Sequence, residues 1–228
     1  MFQLSIVLIV IALVMGLWAQ FRVKRAFSKY SQVRVSTDMT GADVARAILG
    51  AAGIHDVEVV EINDTLGDHY DPSTKRLALS SEVYHTPSVA AAGIAAHETG
   101  HAIQHARGYA PLQARMAVVP LTQFTSQLLP YIFIGGFFLH LIPGALAVQL
   151  AALCYGALTI FQLITLPVEF DASRRAKIIL GQMGIIQAGA EAEGVNRVLN
   201  AAALTYVAAF VSSLGWLLYF LSGSRRND

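Results

Sequence analysis

A single cysteine, Cys154, is all the thiol chemistry the chain offers, and it sits inside an apolar run. That excludes an intramolecular disulfide and any CxxC metal site, and leaves Cys154 as a small buried hydrophobe. Charge is sparse as well. Asp, Glu, Lys and Arg make up 14% of the 228 residues and cancel to a net charge of +1, so no field of one sign invites nucleic acid. There is no internal repeat and no low-complexity segment. In their place stand 55% hydrophobic residues, too many for an ordinary soluble domain, interrupted by polar stretches that a pure membrane bundle would lack. The composition predicts a mainly α membrane protein carrying a small α+β domain.

Phe2 to Ala19 is an apolar stretch without a charge, long enough to cross a hydrocarbon core, and Arg22, Lys24 and Arg25 follow it at once. The order of charge and apolar run is that of a signal anchor, opposite to that of a cleaved signal peptide. Val118–Leu139, Ala145–Leu166 and Ala201–Leu221 also have the length and apolarity of spans, which makes four expected transmembrane helices. Pro120, Gln123, Ser126, Gln127 and Pro130 make the second one polar and kinkable in its first half, as befits a helix that lines a cavity, starts later or lies partly at the interface. Four spans put segments 22–117 and 167–200 on one side of the membrane. These hold 14 of the 16 Lys and Arg residues, so they are expected to face the cytoplasm of a plasma-membrane protein, although Arg225 and Arg226 argue the other way.

The segment between the first two spans reads as mixed α/β. Thr40-Gly41 opens a helical pattern that Gly53 can close, Val57–Ile62 reads as a strand, Asp71-Pro72-Ser73-Thr74 as a turn, and Lys75–Ser80 as another strand. Then comes the decisive helix. Thr86 is its expected N-cap and Pro87 its first residue, and it runs through small apolar residues into His97-Glu98-Thr99-Gly100-His101, with Gly108 and Pro111 marking its end. His97 and His101 are one turn apart, about 6 Å along one face, a spacing at which two imidazoles grip one ion. Glu98 sits beside them, placed to take a proton from a water at the ion and to pass it to a leaving amine. The bland alternative is a hydrogen-bonded His/Glu cluster. Burying two imidazoles and a carboxylate without a shared task is costly, which favours zinc.

Zinc with two histidines and a water wants one more protein ligand. A third histidine in the HExxHxxGxxH arrangement is excluded, because Gln104 and Arg107 occupy the glycine and histidine positions. His105 lies about 12 Å from His97 along the axis, too far to share the ion. The better candidate is Glu169, in Leu166-Pro167-Val168-Glu169-Phe170-Asp171-Ala172-Ser173-Arg174-Arg175, with Asp171 as second choice. The competing reading makes Glu169 and Asp171 interfacial charges paired with Arg174 and Arg175. The expected organisation is an N-terminal anchor (1–21), a cytoplasmic catalytic domain (22–117), two membrane helices (118–166), a cytoplasmic segment bearing the third ligand (167–200), and a last membrane helix with its tail (201–228).

On Leu66-Gly67-Asp68-His69-Tyr70-Asp71-Pro72, Ala96-His97-Glu98-Thr99-Gly100-His101-Ala102-Ile103-Gln104, Leu166–Ser173 and Ala201–Ala208, the chain resembles the YugP-like neutral zinc metallopeptidases of bacterial membranes. More distantly it is similar to membrane peptidases of the HtpX and CAAX-protease type, gluzincins in which a glutamate ligand stands in an E-x-x-A-D sequence. Here that stretch reads Glu169-Phe170-Asp171-Ala172-Ser173, so Ser173 replaces the aspartate that would orient a ligand histidine, and Asp171 is the available substitute. The resemblance also implies that the strand Lys75–Ser80 offers its edge to an extended substrate.

Other polar residues carry two readings each. His69 is either an oxyanion stabiliser or part of a turn held by its own side chains; Asn200 and Tyr206 either point into the site or serve helix packing; Glu191 and Glu193 read as a solvated face. The leading function is zinc-assisted hydrolysis of peptide bonds in proteins or peptides, membrane proteins among them, with His97, His101 and Glu169 on the ion and Glu98 as base. A non-hydrolytic metal-binding membrane scaffold is the alternative. A transporter ranks third, since four spans are few and no chain of ionisable residues runs through them beyond His140 at one end.

Overall fold

The computed structural model describes residues 2–64 and 67–224; Leu66 of the resemblance and Arg225 and Arg226 of the charge argument lie outside them. Four helices among the described residues are long and apolar enough to cross a membrane: α1 (Phe2–Tyr30), α5 (Ala110–Ile132, continued by a wider π turn over Phe133–Phe138), α6 (Gly144–Gln182) and α7 (Ala190–Ser224). The first, third and fourth contain the expected spans and outrun them, and the second covers its span up to Phe138, one residue short of Leu139. The second begins at Ala110 rather than Val118 and carries both Pro120 and Pro130 inside it. The third passes straight through Pro167, and its 39 residues reach about 58 Å, roughly twice the hydrocarbon thickness. Beyond Leu166 the helical pattern simply continues: Ala172, Ala176 and Leu180, spaced by four, are all fully buried.

The chain forms two compact units. One comprises the chain up to Ala19, Gln113–Pro167 and the chain from Leu204. Its helices approach closely where glycine permits: a Cβ on Gly215 would stand 3.2 Å from the Ile9 backbone nitrogen. A second apolar cluster joins Ile132, Ala151, Cys154 and Phe220, with Tyr155 and Trp216 stacked at 5.8 Å between centroids. Leu13, Leu17, Phe124, Leu153 and Ile160 point outward from these helices, as side chains facing lipid do.

The other unit comprises Gln20–Leu112 and Val168–Ala203. Helix α2 (Gly41–Ala51) opens as expected, through a capping box in which Thr40 Oγ1 accepts from the Asp43 amide at 3.2 Å and the Asp43 carboxylate accepts from the Thr40 amide at 3.1 Å. Gly53, at φ 70°, closes it. The sheet has three strands, β1 (Glu58–Ile62), β2 (His69–Asp71) and β3 (Arg76–Ser80), in the order β1-β3-β2, with β1 parallel and β2 antiparallel to β3. This overturns one expectation. The strand at 75–80 is the central one, paired on both sides, so it has no edge to offer; the free edge near the motif belongs to β2. The turn between β2 and β3 is held by Asp71, which accepts from the Ser73 amide at 2.8 Å and Thr74 Oγ1 at 2.7 Å. Those donors, the Ser73 hydroxyl foremost, bring the Asp71 carboxyl down to about 2.

After a short α3 (Ser81–His85), the motif helix α4 runs from Val89 to Ala106. It starts two residues later than Thr86-Pro87 suggested. Ser88 is the cap, its Oγ accepting from the Ala91 amide at 3.1 Å, while Thr86 terminates α3 and the Pro87 carbonyl accepts from the Val35 amide at 3.0 Å. The run Val89–Ala96 is buried apart from Ile94, so α4 is the central helix of this unit's core. Glu191, expected on a solvated face, also ties the chain together by accepting from the Ser36 amide at 3.0 Å and the Gln187 amide at 2.8 Å.

Candidate metal centre

One turn of α4 sets His97 and His101 side by side, their rings 4.8 Å apart between centroids and nearly perpendicular at 84°. Helix α6 brings Glu169, only 2% exposed, against both. Its Oε2 stands 3.2 Å from His97 Nε2 and 3.6 Å from His101 Nε2, and the ligand atoms of the three residues all lie within 4.8 Å of one another. Tetrahedral zinc with bonds of about 2 Å needs donors about 3.3 Å apart, so the two histidine–glutamate separations already suit one ion and the donor set is the kind zinc takes. The sequence-predicted ligands therefore meet at one point. Asp171 does not join them: its carboxylate receives Arg174 and Arg175 instead, so the ion-pair reading describes Asp171.

Glycine makes this meeting possible. A Cβ on Gly100, between the two histidines, would lie 3.0 Å from the Ala172 carbonyl oxygen and 3.2 Å from its Cα. The backbone of α4 thus rests on the backbone of α6 one turn beyond Glu169. Gly100→Ala should force the helices apart by tenths of an ångström, cost about 1–3 kcal/mol as overpacking, and weaken metal binding. A thermal melt with and without zinc checks this: melting should fall by several degrees in both states.

The outward nitrogens of the imidazoles have partners too. His97 Nδ1 is 3.1 Å from Ser173 Oγ, one turn along α6 from Glu169. His101 Nδ1 is 3.0 Å from Gln104 Oε1. Gln104, read from the sequence only as a missing glycine, is fully buried and donates to the Val168 carbonyl at 2.8 Å and to Asp171 Oδ2 at 2.9 Å.

Glu98 lies next to the pair, with Oε2 accepting from the Tyr70 amide at 3.1 Å. That amide points away from β3, so the edge of β2 lines the site. Removal from water pushes the Glu98 carboxyl above its ordinary range, and the charges of Glu169 and Asp68 push the same way against the two imidazoles. Asp68 is raised by burial as well, although it accepts from the Ser80 amide at 2.8 Å. Tyr70 reaches past the motif to His105, its hydroxyl 2.8 Å from Nδ1, and burial pushes its phenol up to about 12. His105 is thus a clamp for β2. His69 turns its Nδ1 to the Gly67 carbonyl at 2.7 Å, the local turn contact. Asn200 accepts from Lys177 Nζ at 2.7 Å, a helix-packing contact.

Comparison with known proteins agrees with this chemistry. The family model described as "Putative neutral zinc metallopeptidase" matches residues 5–225. The chain is 47% identical over 220 residues to the "Putative membrane protease YugP" of Bacillus subtilis (strain 168), covering 96% of each protein. No solved structure matches. A match over nearly the whole chain, to a family whose description names the metal that two histidines and a glutamate would hold, places this protein among those neutral zinc metallopeptidases.

Proposed function

We propose that the protein is a membrane-embedded zinc metalloendopeptidase of the gluzincin kind, with His97, His101 and Glu169 as metal ligands and Glu98 as general base and then acid. The observation that carries the reading is the convergence of two imidazole Nε2 atoms on one buried carboxylate oxygen, at 3.2 and 3.6 Å, beside a second carboxylate that is not part of the donor set. His97, His101 and Glu169 would hold a zinc ion there, and the chemistry it would supply is Lewis-acid polarisation of a water and a peptide carbonyl. Glu98 takes the proton from the attacking water, and its raised affinity for that proton suits it to hold it and deliver it to the nitrogen of the leaving amine. A closed structural metal site has no use for such a base and would fill its fourth position with another side chain.

Helix α4 with its HExxH sequence then serves as the active-site helix of a zincin-like domain, and the chain from 22 to 117, with 167–200, as the catalytic part. The 14 Lys and Arg residues in these segments favour the cytoplasmic side of the plasma membrane. Substrates are proteins or peptides that reach that face, membrane proteins included.

The test is zinc content by mass spectrometry on detergent-purified protein, together with cleavage of a fluorescently labelled unfolded protein. About one zinc per chain is expected. Cleavage should be lost on chelation and regained with zinc. A zinc-loaded protein that cleaves no unfolded or membrane-protein substrate would overturn the reading in favour of a metal-binding scaffold.

A further inference from the structure

Gln104 bonds at once to a ligand ring and to the backbone beside another ligand. Its amide has three neighbours: the Val168 carbonyl at 2.8 Å, Asp171 Oδ2 at 2.9 Å and His101 Nδ1 at 3.0 Å. The first two decide which way the amide faces. A backbone carbonyl has no proton to give, and an aspartate held by Arg174 and Arg175 has none either, so the end of the amide that meets them must be the NH2 group. The end that meets His101 is therefore the carbonyl oxygen, an acceptor. An acceptor against Nδ1 requires a proton on Nδ1. A neutral imidazole with its proton there keeps the lone pair on Nε2, the nitrogen that stands 3.6 Å from Glu169.

We infer that Gln104 is a positioning residue for two metal ligands: through Asp171 it fixes the tautomer and ring orientation of His101, and through Val168 it anchors the helical residue next to Glu169. Asp171 is the orienting group of this arrangement, and its arginine partners keep it an acceptor. The assignment rests on the proposed ligand role of His101 and Glu169. His97 is held differently. Its Nδ1 faces the hydroxyl of Ser173, which can donate or accept, so nothing on that outer side of the ring fixes where the proton sits. Of the two histidines, His101 is the one whose outward nitrogen meets an obligate acceptor. The burial of Gln104, with no exposed surface, means that no water can replace its three bonds without the helices separating.

The experiment separates this arrangement from the peptidase reading. Protein carrying 15N-labelled histidine is stripped of metal in detergent, and the ring protons are located by long-range 15N–1H correlation at alkaline pH, where the imidazole is neutral. Wild-type His101 should carry its proton on Nδ1, whether or not the protein cleaves peptides. Gln104→Leu should lose that preference and weaken zinc about 10- to 100-fold in a competition titration, the range typical of lost outer partners, with helical content unchanged. Gln104→Glu alone should be as weak, because it sets a second carboxylate against Asp171. Combined with Asp171→Asn, whose amide can donate to that carboxylate, the double variant should recover part of the lost affinity, the Val168 carbonyl still lacking its donor; both variants keep an acceptor against Nδ1, so the His101 proton should stay there. A wild-type His101 protonated on Nε2 would overturn the inference even if Gln104→Leu fails to fold. So would a folded Gln104→Leu that binds zinc as the wild type does.

Discussion

Glu98→Gln is expected to leave zinc content at about one per chain and to cut peptidase kcat/KM by about a thousandfold or more. The substitution is nearly isosteric, and a contact that orients the carboxylate survives it: the Tyr70 amide donates to Oε2, and the glutamine carbonyl oxygen can accept the same bond. What disappears is the ability to take a proton and return it. General acid–base groups typically contribute about 10²–10⁴-fold, and Glu98 serves in both directions, so the loss should sit toward the upper end. Metal analysis beside an initial-rate assay separates the outcomes. If zinc is lost with activity, Glu98 is a ligand and the assignment of Glu169 falls with it.

The second large effect belongs to the metal itself. Glu169→Gln replaces an anion that faces both Nε2 atoms with a neutral amide, in a position with 2% exposure where water cannot substitute as a donor. Zinc affinity should fall by more than about 100-fold, beyond the 10- to 100-fold expected for an outer partner, since a ligand is lost outright. The same loss appears as stability. A metal that binds only the folded state stabilises it by RT ln(1 + [L]/Kd), so added zinc should raise the melting temperature of the wild type and do little for Glu169→Gln. A variant that still takes up one zinc with near-native affinity would move the third-ligand assignment elsewhere, and Asp171 is already committed to two arginines.

Much of the candidate site is legible in the sequence alone, for a reason that lies in helix geometry. The i, i+4 spacing of His97 and His101 fixes their common face whatever surrounds them, and Glu169 stands out because a carboxylate at the edge of an apolar stretch needs a partner. The four long apolar helices are legible for a similar reason, since twenty apolar residues leave few alternatives. Their ends are not. No sequence rule says where a helix stops once it has left an apolar run: α6 continues past Leu166, and α5 begins before Val118, where Gln113 and Arg115 interrupt the apolar pattern. The third strand was invisible for another reason. His69-Tyr70-Asp71 is three residues long and looks like a turn, and it is extended only because β3 pairs with it and Glu98 takes its outward amide. Ser88 caps α4 although Thr86-Pro87 has the stronger local signature, because Thr86 ends α3 instead. Gln104 could not have been found by pattern at all: its role depends on Val168 and Asp171, more than sixty residues away in the chain.

The same helix α6 that carries the third span also carries Glu169, with no break between them. On the proposed reading this imposes an order on the birth of the enzyme. His97, Glu98 and His101 leave the ribosome first, followed by α5 and then by the apolar first half of α6; the third ligand comes only after both. Until that helix has been threaded into the bilayer, the nascent chain holds two histidines and a base but not the carboxylate that completes the set. A peptidase assembled in that sequence stays harmless in the cytosol throughout its own synthesis, and becomes competent only when it has reached its membrane.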